Sequence, residues 1–312
     1  MIIENKCPSC GSDSRLKAFG VVAPWIVALS HQTLPIDTEY RSCLTCGLMF
    51  FSYRYSPSEI DAIYSNYRGS DFYSVRHSWE PWYNESVNDA FSDARESDLQ
   101  IESRRSFTET VLSEAGVKIN TLQGCIDFGG DHGQFLPSGI QGPLFVVENN
   151  SEGKSVTGLV NFIDDIALVP INVDLVMNCY VLEHMPNLET ALVDMRSKLR
   201  EGGFLHLEVP IDRFTTSKLQ KSYLYRNYLH FLTRHRRMFV SIDFVSGAYR
   251  QVTGRIPWFG IVKQSEHINY FDSKSLRRFV DIHGGNVIYM SREDLKYKVG
   301  RIRQGRVACV AI

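Results

Sequence analysis

The sequence predicts an α/β fold built around a nucleotide-binding βαβ unit, and three observations carry that expectation. The first is Gly124-Cys125-Ile126-Asp127-Phe128-Gly129-Gly130-Asp131-His132-Gly133, an apolar strand end running into Asp127 and then a glycine-rich turn that opens into the first turn of a helix. The second is the apolar run Leu144-Phe145-Val146-Val147, which ends in Glu148, 21 positions after Asp127. The third is a succession of further strand-like runs: Val160 to Ile163, a run ending near Asn178, Leu205 to Pro210, and a closing pair at 286–290 and 306–312.

Each part of the opening unit has a physical use. Gly129 permits a tight turn, and Gly133 lets a ligand approach the backbone closely. An acid at the tip of the next strand, Glu148, can accept hydrogen bonds from ribose hydroxyls. A dinucleotide site would add a glycine-lined helix N-terminus for pyrophosphate, but Asp131 occupies the middle glycine position and would repel one. A ligand with ribose and no phosphate fits better, and S-adenosylmethionine (SAM) is the commonest such ligand.

At 312 residues the chain can bury one large α/β domain and a small appendage. The formal net charge of −1 supplies no global field toward nucleic acid or membrane. No apolar run approaches the ~20 residues that span a bilayer, and Met1 to Lys6 lack the basic start and apolar core of a secretory signal. A cytoplasmic protein is expected.

Four of the seven cysteines form two matching knuckles, Cys7-Pro8-Ser9-Cys10-Gly11 and Cys43-Leu44-Thr45-Cys46-Gly47. Each turn aims two thiolates at one point, and two such turns make a tetrahedral four-sulfur site suited to structural Zn²⁺. Disulfides or unrelated core thiols are the alternative, disfavoured in a reducing compartment. After a short strand at 48–52, Ser56-Pro57-Ser58-Glu59 reads as a capping box opening a helix through Tyr67. Residues 69–100 read as a linker with a helix, and Ile101 to Leu112 as a helix carrying Arg104 and Arg105 on one side.

Two segments extend the glycine loop into a pattern. Asp174-Leu175-Val176-Met177-Asn178-Cys179-Tyr180-Val181-Leu182-Glu183-His184-Met185-Pro186 matches DLVxxxxVLEHxP, and Leu199-Arg200-Glu201-Gly202-Gly203-Phe204-Leu205 follows as helix end, tight turn and strand. With Asp127-Phe128-Gly129-Gly130-Asp131-His132-Gly133 they resemble class I SAM-dependent methyltransferases over residues 105–312. That resemblance implies a Rossmann-like seven-stranded sheet with helices on both faces. It implies SAM contacts from Asp127, Gly129, Gly133, Glu148, Asp165 and Asn178, with Asn178 to Tyr180 lining the sulfonium. Asp165 can equally be a helix cap. His184 is open to a base, a substrate contact or a loop cap.

Cys7 to Tyr67 resembles the N-terminal zinc module of sugar C-methyltransferases, and Glu266-His267-Ile268-Asn269-Tyr270-Phe271 resembles those enzymes' E-H-x-x-Y-F segment, where the histidine faces the substrate. The resemblance implies catalytic roles for His267 first, His184 second, and Tyr270. Gln264 stands where those enzymes often carry tyrosine, and the chain ends without their second Rossmann-like domain. Tyr64, Tyr67 and Tyr73 can overhang a ligand or simply pack.

The expected organisation is a zinc module at 1–55, a helical linker or lid at 56–104, and the methyltransferase domain at 105–312. An insertion at 211–262 would serve as a substrate cap. From Arg213 to Ile242 it holds no acid, and its arginines and lysines alternate with tyrosines. It could grip a diphosphate, or be a solvated amphipathic helix pair. The function expected is methylation of a carbohydrate, a nucleotide-linked sugar, with a histidine general base. An RNA methyltransferase, one acting on another small molecule, and an inactive binding protein are the alternatives. Near-zero net charge argues against nucleic acid.

Overall fold

The protein is described from a computed structural model that covers residues 2–3, 5–90, 98–148, 160–296 and 303–312; residues 91–97 of the expected linker lie outside the described residues. In chain order, β1 (Ile2–Ile3), β2 (Ser14–Val22), α1 (Pro24–Leu29), β3 (Asp37–Cys43), β4 (Met49–Phe51) and β5 (Tyr53–Arg54) come first. Antiparallel pairing of β2 with β3 runs from Ser14↔Cys43 to Val21↔Asp37, which brings the second knuckle beside the first. The helices α2 (Pro57–Tyr64), α3 (Ser70–Trp79) and α4 (Glu85–Ala90) follow. The Ser56–Glu59 capping box forms as the sequence requires. The helix stops at Tyr64 and not at Tyr67: beyond Ser65 the backbone closes through three-residue turns, Tyr67 N–H to the Tyr64 carbonyl and Gly69 N–H to that of Asn66.

The next stretch holds α5 (Asp98–Glu114), β6 (Gln123–Phe128), β7 (Gln141–Val147), β8 (Val160–Ile163), β9 (Val173–Cys179), α6 (Leu188–Ser197) and β10 (Leu199–Ile211). The insertion supplies α7 (Tyr223–Arg234) and α8 (Arg236–Thr253), β11 (Lys263–Gln264) and β12 (Asn269–Tyr270) follow it, and the chain closes with α9 (Ser273–Ile282), β13 (Val287–Lys296) and β14 (Arg303–Ala311).

Two compact units share these elements. One comprises Met1–Arg95, Asp212–Tyr270 and Leu295–Gln304; the other Glu96–Ile211, Phe271–Asp294 and Gly305–Ile312. The second unit contains the expected seven-stranded sheet, in the order β13-β14-β10-β9-β6-β7-β8. From β10 to β8 neighbours pair in parallel, and β14 lies antiparallel to β10. The chain moves from β6 outward to β7 and β8, then returns to the other side of β6 with β9. That reversal makes a crevice at the carboxyl ends of β6 and β9, the usual ligand position in such sheets. Val111 and Leu112 of α5 pack on Cys125, Leu175, Met177, Ala308 and Val310.

The helix expected directly after the glycine turn does not form: residues 129–140 are a series of turns. Asp131, Gly133 and Gly139 all take positive φ (51°, 72° and 88°), and Pro137 has no N–H for a helical ladder. The backbone closes instead through three-residue turns, Gly133 N–H to the Gly130 carbonyl and Leu136 N–H to that of Gly133.

In the first unit β11 and β12 extend the N-terminal sheet, whose order is β11-β2-β3-β4-β12. Phe214, Tyr225, Leu229, Leu232 and Phe239 of the insertion share one core with Ala18, Val21, Tyr40 and Phe51 of the N-terminal strands. A row of alternating charges adds to it. The Lys263 ammonium lies 2.5 Å from Glu80 and also contacts Asp243, while Arg76 reaches Glu80 at 3.0 Å and Glu266 at 3.3 Å. Burial pushes the Glu80 carboxyl up, but Lys263 and Arg76 outweigh that and hold it down at about 2. Arg76 is further sandwiched by the rings of Tyr83 and Trp25, at 4.0 and 4.7 Å. Lys263→Ala would leave the buried Asp243 without its lysine partner and Glu80 with Arg76 alone. It should cost about 3–5 kcal/mol of stability in urea denaturation; a loss below about 1 kcal/mol, the range of exposed pairs, would show the network to be solvated.

Candidate functional site

Asp127 ends β6, only 1 % exposed, and its Oδ2 is buried with no hydrogen-bond partner among the described residues. Burial pushes its carboxyl up to about 7, with Arg104 opposing and Glu148 and Asp131 reinforcing the rise. Asn178 ends β9 fully buried; its Nδ2 donates to the Phe128 carbonyl at 3.2 Å, and its Oδ1 has no partner among the described residues. Two buried acceptors thus sit at the strand tips flanking the topological reversal. Glu148, at the tip of β7, accepts the Asp131 N–H at 3.3 Å, so the residue replacing the middle glycine is tied to the expected ribose acceptor.

The glycines keep this corner open and compact. At Gly129 (φ 76°) a Cβ would stand 2.4 Å from Val181 Cγ2. Gly130, which sequence reasoning passed over, is required by Asp127 itself: a Cβ there would lie 2.3 Å from the Asp127 Cγ. Gly133 sits against Val146 of β7, so protein as well as ligand demands its small size.

Arg104 and Arg105 of α5 were not foreseen in these roles. The Arg104 guanidinium of α5 stacks over the rings of Phe135 and Tyr180, 4.0 and 4.7 Å from their centroids. Its neighbour Arg105 donates to the Gln134 carbonyl at 2.9 Å. Together they hold the loop after β6 against α5. Tyr180 takes φ 61°, a conformation uncommon outside glycine and frequent at functional sites. The sequence pattern already sets it among residues 178–180, expected to line the sulfonium. Asp165 caps the following turn by accepting the Ala167 N–H at 2.8 Å. His184 is half-buried in a turn, its Nε2 3.9 Å from Glu183 Oε1.

His267 and Tyr270 belong to the other unit. His267 Nδ1–H donates to Asp212 Oδ2 at 2.7 Å, and Arg250 donates to the Asp212 carbonyl at 2.8 Å. An aspartate on Nδ1 fixes the tautomer and leaves Nε2 as a proton acceptor. Tyr270 is buried against Tyr40, Phe51 and Phe214, and its hydroxyl donates to the His267 carbonyl at 3.2 Å. Gln264 is wholly buried, donating to the Tyr53 carbonyl at 2.9 Å and accepting from Thr38 Oγ1 at 2.7 Å. Within the same unit the basic insertion is partly neutralised, since Asp37 pairs with both Arg226 and His230.

The four knuckle cysteines converge as expected, with their sulfurs all within 4.8 Å of one another. Cys7 to Cys46 is 3.6 Å and Cys10 to Cys43 is 3.4 Å. A zinc tetrahedron with Zn–S of ~2.3 Å has an edge of about 3.8 Å. Backbone N–H groups of Thr45 and Cys46 point at the Cys43 sulfur, each at 3.3 Å, which stabilises a thiolate. Among the described residues no helix is long and apolar enough to cross a membrane.

A test of the strand tip follows from the Asp127 carboxyl. With its ordinary value at 3.8 and its folded value at about 7, the folded protein keeps a proton that the unfolded chain has released. Stability from this group therefore falls as pH rises through that window. Asp127→Asn cannot ionise, so its stability relative to the parent should rise between about pH 4 and about pH 8 in urea denaturation. A difference constant with pH would mean the carboxyl is not perturbed.

The methyltransferase-domain family model matches residues 101–289, more than half of the chain. No curated protein matches it in sequence. Among solved structures, the chain is similar to a SAM-dependent methyltransferase from Clostridium acetobutylicum ATCC 824 (TM-score 0.41, 10% identity, 72% of this chain and 96% of that one). It is similar also to the magnesium protoporphyrin IX methyltransferase of Synechocystis PCC 6803 with bound SAH (TM-score 0.40, 12% identity, 74% and 97%). A SAM-dependent methyltransferase from Archaeoglobus fulgidus gives a TM-score of 0.37 at 13% identity, over 66% and 94%. On the match of its central 189 residues, from 101 to 289, the chain belongs to the methyltransferase domain family and is a SAM-dependent methyltransferase.

Proposed function

We propose that this methyltransferase acts on a carbohydrate, a nucleotide-linked sugar, with His267 as general base and the cysteine cluster holding a structural Zn²⁺. The observation that carries the reading is the His267–Asp212 pair, 2.7 Å apart. SAM supplies an electrophilic methyl group, and an amine or thiolate acceptor needs little help to attack one. A sugar hydroxyl, or a carbon beside a sugar ketone, must give up a proton, so an oriented histidine suits those acceptors. Asp212 holds Nδ1 protonated and stabilises the imidazolium formed when Nε2 takes the proton. Tyr270 acts by position, fixing the backbone of the segment that presents the histidine.

For the donor, Asp127 and Asn178 are proposed to meet its amino-acid end, Glu148 its ribose and Asp165 its adenine, with Gly129 and Gly133 leaving room. Asp127 Oδ2 and Asn178 Oδ1, buried without partners among the described residues, suit a ligand that brings an ammonium and other donors. No helix N-terminus follows the glycine turn, which fits a donor lacking phosphate. Lys218, Lys221 and Arg234 of the insertion are the proposed contacts for the diphosphate of the acceptor, consistent with a cap role for 211–262.

The test is SAH release with nucleoside diphosphate-linked hexoses and their keto derivatives. Acceptor-dependent release is expected, and none across the panel would overturn the carbohydrate assignment. His267→Ala should lower turnover by roughly 10²-fold or more while SAH affinity stays near that of the parent; unchanged turnover would remove His267 from the chemistry. Stripping metal with a chelator should lower the melting temperature of the parent, since a structural zinc contributes directly to folding, and a chelator-insensitive melt would contradict the zinc assignment.

A further inference from the structure

We infer that Cys179, His206 and Glu208 form a second transition-metal site, of the kind that takes Zn²⁺, inside the sheet of the catalytic unit. The strand register builds it. Cys179 pairs with Glu208, and Met177 with His206, across β9 and β10, so side-chain alternation sends Cys179, His206 and Glu208 to one face of the sheet. One ligand atom from each residue lies within 4.8 Å of the other two.

A second observation points to a missing occupant. His206 is completely buried, and neither ring nitrogen has a hydrogen-bond partner among the described residues. Glu208 Oε2 lies 3.9 Å from its Nε2, too far for a hydrogen bond and suitable for an ion between them. A buried imidazole without partners is rare unless something else satisfies it.

The surroundings orient the carboxylate as metal sites do. Arg306 donates to Glu208 Oε1 at 3.2 Å and leaves Oε2 toward His206. Arg306 is itself held by Glu293 at 2.7 Å and by the Phe107 ring at 3.5 Å. Outer partners of this type fix ligand orientation. Thiolate and carboxylate together cancel the charge of a divalent ion, and a sulfur, nitrogen and oxygen donor set favours zinc over magnesium or calcium. Three protein ligands leave a fourth position for water, unlike the closed four-sulfur cluster. The competing arrangement is a plain Glu208–Arg306 ion pair beside a neutral, dry histidine.

Metal analysis of the purified full-length chain separates the two. The parent should carry two zinc ions per chain, and His206→Ala and Cys179→Ala should each carry one fewer. Cobalt loaded into a Cys43→Ser/Cys46→Ser variant should still give a thiolate-to-cobalt charge-transfer band, lost when Cys179→Ala is added. Unchanged zinc content in His206→Ala and Cys179→Ala would overturn the inference, as would a knuckle variant that takes up cobalt with no thiolate band. If the knuckle variant does not fold, the zinc counts of the parent and the two single variants decide alone.

Discussion

Asp127 keeps one carboxylate oxygen buried at the tip of a central parallel strand, unpaired among the described residues, and the catalytic unit is arranged around that cost. An unpaired buried polar oxygen costs about 1–3 kcal/mol, and more for an ionised group. Gly130 exists to leave the carboxylate room, and Gly129 to let Val181 approach. Arg104 opposes the raised affinity of Asp127 for protons, while Glu148 and Asp131 add to it. Such a site is poor as structure and useful for binding. A ligand carrying a cationic amino group and hydroxyl donors would relieve Asp127 and Asn178 at once, which links the packing of the strand tips to the chemistry of a methyl donor.

The other unit solves a different problem, that of joining chain segments far apart in sequence. Its sheet takes edge strands β11 and β12 from beyond the catalytic strands, and its charge row runs from Asp243 through Lys263, Glu80 and Arg76 to Glu266. Hydrophobic packing of α7 and α8 on the N-terminal strands supplies the driving force, and the charges reward one arrangement of those segments. His267 emerges between β11 and β12, so the stiffness of this unit is also the stiffness of the proposed base.

Features set by neighbouring residues were legible in the sequence. The capping box at Ser56 forms because cap and partner lie three residues apart, and the seven-stranded sheet followed from a pattern spread over residues 105–312. What was not legible depends on distance or on backbone conformation. Asp212 is 55 residues from His267, and nothing local marks the pair. The acid-free stretch from 213 to 242 reads as an anion cradle, yet Asp37, from β3, pairs with two of its basic groups. The helix expected after the glycine turn fails because a glycine turn is common to helix starts and to plain loops. Here the choice falls to the left-handed Asp131 and to Pro137, whose effects reach beyond the motif.

In the proposed function the crevice grips an adenosine-type methyl donor without phosphate help. Calorimetric competition between SAH and NAD tests it most directly, because both carry the adenosine and only NAD adds the pyrophosphate. SAH should bind and resist displacement by excess NAD, and the loop around Asp131 should give NAD no measurable heat. Binding of NAD at the same site with comparable affinity, or no binding of SAH at all, would contradict the account.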